Sequence, residues 1–158
     1  MAAVALARIF ALTGTPNFGG PASTGAPTAA TPNCRVPVGN IAAEVCYPSV
    51  GALESATPST TYIAADDYSG TDQSGALLQW TTDYNNCSTS TGNQMPSGWA
   101  NRVQSVHTYS GCASTVFVGK DYTQPECQVY VDTVANSLGV MNQKGSSQTF
   151  CSYNGCPG

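Results

Sequence analysis

Hydrophobic and β-branched residues fall along this chain in short runs, each closed by a cluster of Gly, Pro, Asn, Asp or Ser. Runs of that length between turn-forming clusters predict strands. Strands are therefore expected over residues 4–12, 35–38, 44–47, 61–64, 76–82, 102–109, 114–118, 128–131 and 148–153. The run at 102–109 (RVQSVHTY) alternates, which sets Val103 and its set of neighbours on one face and the rest on the other. Residues 13–33, 48–60 and 85–98 are polar or rich in turn formers and are expected as loops, with a turn at Asp66-Asp67-Tyr68-Ser69-Gly70. Only 132–141 carries a helical signature, with Asp132 as cap and Val134, Leu138 and Met141 spaced along one face. Many short strands at near-regular intervals predict an all-β sandwich.

The 158 residues suffice for one core and not for two large domains. Only 9% of them are charged, against roughly a quarter in an average soluble domain. Polarity comes instead from Ser, Thr, Asn, Gln and Gly, which weaken helices by competing for backbone hydrogen bonds or by their flexibility. Five basic residues against nine acidic ones give a net charge of −4, with no run of Lys or Arg. Neither nucleic acid nor an anionic membrane surface is an expected partner. The apolar start at 1–12 is interrupted by Arg8 and too short to span a bilayer. It is expected to be the first strand of a mature chain whose signal peptide has been removed.

Seven cysteines (Cys34, Cys46, Cys87, Cys112, Cys127, Cys151 and Cys156) stand mostly beside turn residues. No Cys-x-x-Cys occurs and the single His107 completes no zinc spacing. Disulfides formed in an oxidising, extracellular compartment are expected, at most three within the chain, with one cysteine left over. Their pairing stays open. Asn86-Cys87-Ser88 is a glycosylation sequon.

A turn phrase recurs about every fifty residues: Asn17-Phe18-Gly19-Gly20, Asp67-Tyr68-Ser69-Gly70 and Asp121-Tyr122-Thr123-Gln124. A second phrase follows in each unit, at 40–45 (NIAAEV), 101–106 (NRVQSV) and 142–147 (NQKGSS). Three related motifs, about 1–56, 57–112 and 113–158, are therefore expected within one compact β domain spanning 1–158. The stretch 99–122 (WANRVQSVHTYSGCASTVFVGKDY) resembles the βγ-crystallin Greek key, in particular its secreted microbial branch of peptidase inhibitors and killer toxins. The resemblance implies an antiparallel Greek-key β-sandwich. It assigns Phe18, Gly19, Tyr68, Gly70 and Tyr122 to folded hairpins, with Ser105 and Ser146 or Ser147 packed over them. The hairpin is expected to need φ > 0, supplied by Gly.

That family's calcium phrase supplies hard oxygen ligands. Asn142 and Ser146 are the candidates here, but Gln143 and Lys144 weaken the site, and Arg102 spoils the equivalent one, so no cofactor is expected. Asp66 and Asp67 are expected as a turn pair rather than an acid–base dyad, and His107 as a partly exposed sheet residue. No nucleophile elbow, phosphate loop or metalloprotease helix is present in the sequence. Eight tyrosines and two tryptophans in a weakly charged chain suit a recognition surface. The expected function is that of a secreted non-enzymatic binding protein, antimicrobial, toxin-like or peptidase-inhibiting, acting on a protein or cell-surface target. The alternatives are a calcium-stabilised structural extracellular protein and a small secreted hydrolase.

Overall fold

The structure is a computed structural model that describes residues 30–56, 62–85, 87, 91–123, 126–152 and 156. The expected strand at 4–12 lies outside these residues. The described strands are β1 (Asn33–Pro37), β2 (Val45–Tyr47), β3 (Tyr62–Tyr68), β4 (Leu77–Thr82), β5 (Thr91–Gln94), β6 (Ser105–Thr108), β7 (Cys112–Phe117), β8 (Glu126–Val129), β9 (Val134–Ala135) and β10 (Ser147–Ser152). They form one sheet in the order β2-β1-β4-β3-β6-β9 and a second in the order β5-β10-β7-β8. Every ladder is antiparallel except that between β1 and β4.

The order of pairing defines two interlocked Greek keys. In the first, β3, β4 and β6 share a sheet, while β5 crosses over to pair with β10. In the second, β7, β8 and β10 share the other sheet, while β9 crosses back to pair with β6. Each motif lends its third strand to its neighbour's sheet, so both sheets need both motifs. The described part of the first expected unit forms the β1–β2 hairpin and helix α1 (Val50–Ser55), laid along the edge of the larger sheet. Besides the β1–β4 ladder, side-chain hydrogen bonds help hold it there. Asn33 Oδ1 accepts from Leu77 N, Asn93 Oδ1 from Gly39 N, and Pro32 O from Trp99 Nε1.

The core lies between the sheets. Trp80 and Phe150 meet with ring centroids 5.3 Å apart, both fully buried, with Val36, Leu78, Val106 and Val116 around them. Such an aromatic pair contributes about 1 kcal/mol beyond the area it buries. Three disulfides are described: Cys34–Cys46 across the β1–β2 hairpin, Cys87–Cys112 tying the β4–β5 connection to β7, and Cys151–Cys156 after β10. Cys127 stands in β8 opposite Val116. Among the described residues no helix is long and apolar enough to cross a membrane.

Three local expectations are corrected. Residues 132–141 hold no α-helix but β9 and a 3-10 turn at Gly139–Met141. Asp132 adopts φ 46° and its Oδ1 accepts from Gly111 N, so it caps a neighbouring turn instead of a helix. The expected loop at 48–60 contains α1, started by Ser49, whose hydroxyl accepts from Ala52 N, and anchored by buried Leu53. One buried residue in six leaves no periodic signal to read. The expected loop at 85–98 contains β5, whose sequence TGNQ carries no apolar alternation.

Candidate functional site

On the outer face of the larger sheet, strand register aligns Arg35, Gln79, Asp66 and His107 across β1, β4, β3 and β6. Arg35 Nε donates to Gln79 Oε1 at 2.9 Å, and Gln79 Nε2 donates to Asp66 Oδ1 at 3.1 Å. The two Nη atoms of Arg35 donate to Leu53 O and Ala56 O, each at 2.7 Å. These are carbonyls at the C-terminal end of α1, where a helix leaves acceptors unpaired and favours a cation. The row thus fastens α1 and the hairpin to the sheet.

Tyr109 closes the row, its hydroxyl bonded to the Asp66 carboxylate and to Tyr68. Burial pushes Asp66 up to about 6, outweighing the opposing hydrogen bonds and the Arg35 charge. Burial and the neighbouring Asp66 charge push Tyr68 up to about 12 and Tyr109 further in the same direction. The His107 ring lies 3.9 Å from that of Tyr109, centroid to centroid, and burial lowers its pKa against the pull of Asp132.

Beside the row opens a cavity of about 260 Å³ lined by Arg35, Pro37, Ala43, Val45, Tyr47, Ala56 and Thr81. Its walls are apolar. Arg35 lies under the Tyr47 ring, 5.6 Å from its centroid, with its guanidinium already bonded to Gln79 and to α1. Of the lining residues Val45 is 53% exposed. The volume is at the small end for ligand pockets and suits one apolar side chain better than an extended organic ligand. A second, more open cavity of about 430 Å³ lies by Gln94, Met95, Lys120, Asp121 and Ser146.

Of the residues named from the sequence, Phe18 and Gly19 lie outside the described residues. Ser105 Oγ donates to Gly70 O at 2.7 Å and accepts from Gln73 N at 3.1 Å, which places it over the β3–β4 hairpin. Ser147 Oγ donates to Gly119 O at 2.6 Å and accepts from Tyr122 N at 3.3 Å, over the β7–β8 hairpin. Tyr122 covers Phe117 edge-on, with centroids 5.9 Å apart. Gly70 does not supply the left-handed backbone. Asp72, Gln73 and Gly75 do, while a Cβ at Gly70 would meet Ser74 O at 2.9 Å. Close approach of the chain to itself is the reason for glycine there.

Oxygens of the calcium phrase engage in local hydrogen bonds. Asn142 Oδ1 accepts from Leu138 N at 2.9 Å and lies 3.3 Å from Ser137 Oγ, so its lone pairs are engaged. Ser147 is spent on the hairpin, and Ser146 Oγ lies 3.4 Å from Asn101 Oδ1. Within the phrase these oxygens serve turn and packing contacts.

Asp66 and Asp67 form no turn; they occupy the interior of β3 and point to opposite faces. Asp66 joins the outer row. Asp67, fully buried between the sheets, accepts from Trp80 Nε1 at 2.8 Å and Gln148 Nε2 at 3.2 Å. Burial pushes it up to about 7. These partners keep two carboxylates in a strand whose local composition argues against one. Sequence reading missed Arg35 and Gln79. They are 44 positions apart, and only the parallel β1–β4 ladder brings them together.

Sequence comparison finds no match to a described protein family and none to a characterised protein. Among solved structures, the fold is similar to the N-terminal domain of protein S (16% identity, 56% of this chain and 96% of that one, TM-score 0.44). It is similar also to a βγ-crystallin domain from Clostridium beijerinckii (16% identity, 56% and 97% covered, TM-score 0.42). A third similar structure concerns the evolution of the eye-lens βγ-crystallin domain fold (13% identity, 58% and 87% covered, TM-score 0.46). The strand pairing itself defines the class: a disulfide-stabilised, βγ-crystallin-like Greek-key β-sandwich. No similarity found points to the microbial inhibitor and toxin branch.

Proposed function

We propose that the protein is an extracellular, non-enzymatic binding protein that takes an apolar side chain of a protein target into the β1–β2 pocket. The observation that carries this reading is the pocket's build: apolar walls with exposed Val45 among them, and an Arg35 guanidinium already bonded to Gln79 and to α1. Such a site rewards an apolar group and offers little to an anion. The hairpin that makes it is an addition to the two Greek keys, pinned by a disulfide and by Arg35. A rigid hairpin loses little freedom on binding, the property that antimicrobial and peptidase-inhibiting loops exploit. Three bridges favour an oxidising compartment. Neither nucleic acid nor a metal has a part in this reading. A non-enzymatic role is supported by Asp66 and Asp67, which face opposite ways and cannot act on one bond.

The test is a panel of purified proteases and of microbial cultures. Inhibition or growth arrest is expected with the wild type and with Val140→Asp, a substitution at an 84% exposed residue outside the pocket. It is expected to fall at least tenfold with Val45→Asp. Activity unchanged by Val45→Asp, or turnover of a substrate lost on Asp66→Asn in a folded protein, overturns the reading.

A further inference from the structure

The β1–β2 ladder sets Cys34 directly opposite Cys46, and Glu44 stands two residues before Cys46. A carboxylate oxygen of Glu44 and the two sulfurs all lie within 4.8 Å of one another. One Glu44 oxygen, Oε1, is buried with no hydrogen-bond partner among the described residues. The Glu44 residue itself is only partly buried, so this oxygen stands beside the two sulfurs at a place a cation can reach.

We propose that, once the Cys34–Cys46 bridge is reduced, Cys34, Cys46 and Glu44 form a binding site for a borderline-soft divalent cation, with zinc as the fitting ion. Two thiolates and one carboxylate are a zinc-type donor set, and a water completes the tetrahedron. On tetrahedral zinc the two sulfurs stand about 3.8 Å apart, a separation small side-chain rotations reach from a directly opposed pair. The site opens to solvent on the Cys46 side, since Cys46 is exposed and Cys34 is not.

That asymmetry also orders the chemistry. A thiolate of an external dithiol attacks the exposed Cys46 sulfur, forms a mixed disulfide and expels the Cys34 thiolate, which takes up a proton. The second thiol of the reagent then closes its own disulfide and releases Cys46 as a thiol. The protein gains two electrons and two protons, and the dithiol loses them. Zinc binding then displaces both thiol protons. The other two bridges join buried cysteines (Cys87 with Cys112, Cys151 with Cys156) and are protected from the same attack. In the reduced protein the metal replaces the lost staple of the hairpin.

The experiment uses the full chain carrying Cys127→Ser, treated with limiting dithiothreitol and desalted, with alkylation mapping to report which bridges opened. Cobalt(II) is titrated by absorption, then displaced by zinc. One cobalt per chain is expected, with a thiolate-to-metal charge-transfer band and tetrahedral visible bands, both absent from the oxidised protein. Glu44→Gln should weaken binding about tenfold or more. A Cys34→Ser/Cys46→Ser protein, fully reduced, keeps the other four bridging cysteines and should show no such band. Absence of the band in reduced wild type, undiminished binding by the double variant, or unchanged affinity in Glu44→Gln overturns the proposal. The pocket reading stands apart from all three outcomes.

Discussion

The indole nitrogen of Trp80 donates a 2.8 Å hydrogen bond to Oδ2 of Asp67, and the pair sits sealed between the two sheets. Gln148 approaches the other carboxylate oxygen, and its own Oε1 has no partner. Gln148 Nε2 also donates to Ser114 Oγ at 2.6 Å. Among the described residues no cation is bonded to Asp67. Burial therefore holds the proton on the folded protein up to about pH 7, whereas the unfolded chain releases it near the ordinary 3.8.

The sign follows from linkage. Between those two values the folded state binds more protons than the unfolded one, so stability declines as pH rises. Asp66, pushed up to about 6, acts in the same sense. Thermal melting is expected to be highest near pH 4 and to fall by about 5–10 °C toward pH 8. Asp67→Asn should flatten most of that slope. A melting temperature rising from pH 4 to pH 7 contradicts the assignment.

The two hairpin serines give a second expectation. Ser105→Ala and Ser147→Ala each remove a hydroxyl that bonds two backbone groups of a folded hairpin. Each should cost about 1–2 kcal/mol in urea unfolding. They lie in different sheets and share no partner, so the double variant should be additive within about 0.5 kcal/mol.

Ser105 was legible from its place in a recurring phrase, whereas the third phrase left Ser146 and Ser147 open and the hairpin uses Ser147, one place later than Ser105 stands in its own phrase. The all-β class was legible for a related reason, since strand formers alternated with turn formers along the chain. The exchange of β5 and β9 between motifs was not. TGNQ has no apolar face, and Val134 and Ala135 form a two-residue strand inside what reads as a helix repeat. The polar row was hidden for another reason. Arg35, Gln79 and Asp66 carry no local pattern and become a unit only through long-range ladders.

Arg35 fixes the hairpin to α1 through its two Nη groups and to β4 through Nε, three N–H groups pointing at three separate oxygens. Arg35→Ala should destabilise by about 3 kcal/mol or more, because it leaves buried Gln79 and Asp66 under-satisfied. Arg35→Lys should recover less than half of that, since one ammonium lacks the planar fork. Full recovery by Lys would show that charge alone, rather than geometry, secures α1.

Gly92 in β5 faces the Tyr122 ring so closely that a Cβ there would collide with it. Gly92→Ala should displace Tyr122 from Phe117 and cost about 1–3 kcal/mol. Pairing it with Tyr122→Ala should remove most of the penalty, and a double-mutant cycle in urea would measure it.

The claim that the β1–β2 pocket accepts an apolar side chain is tested most directly by NMR titration of the labelled protein with N-acetyl-leucinamide and N-acetyl-phenylalaninamide. The account predicts saturable shifts confined to Ala43, Val45, Tyr47 and Ala56, lost in Val45→Asp. Shifts centred elsewhere, or none up to the solubility limit of the probes, would contradict it.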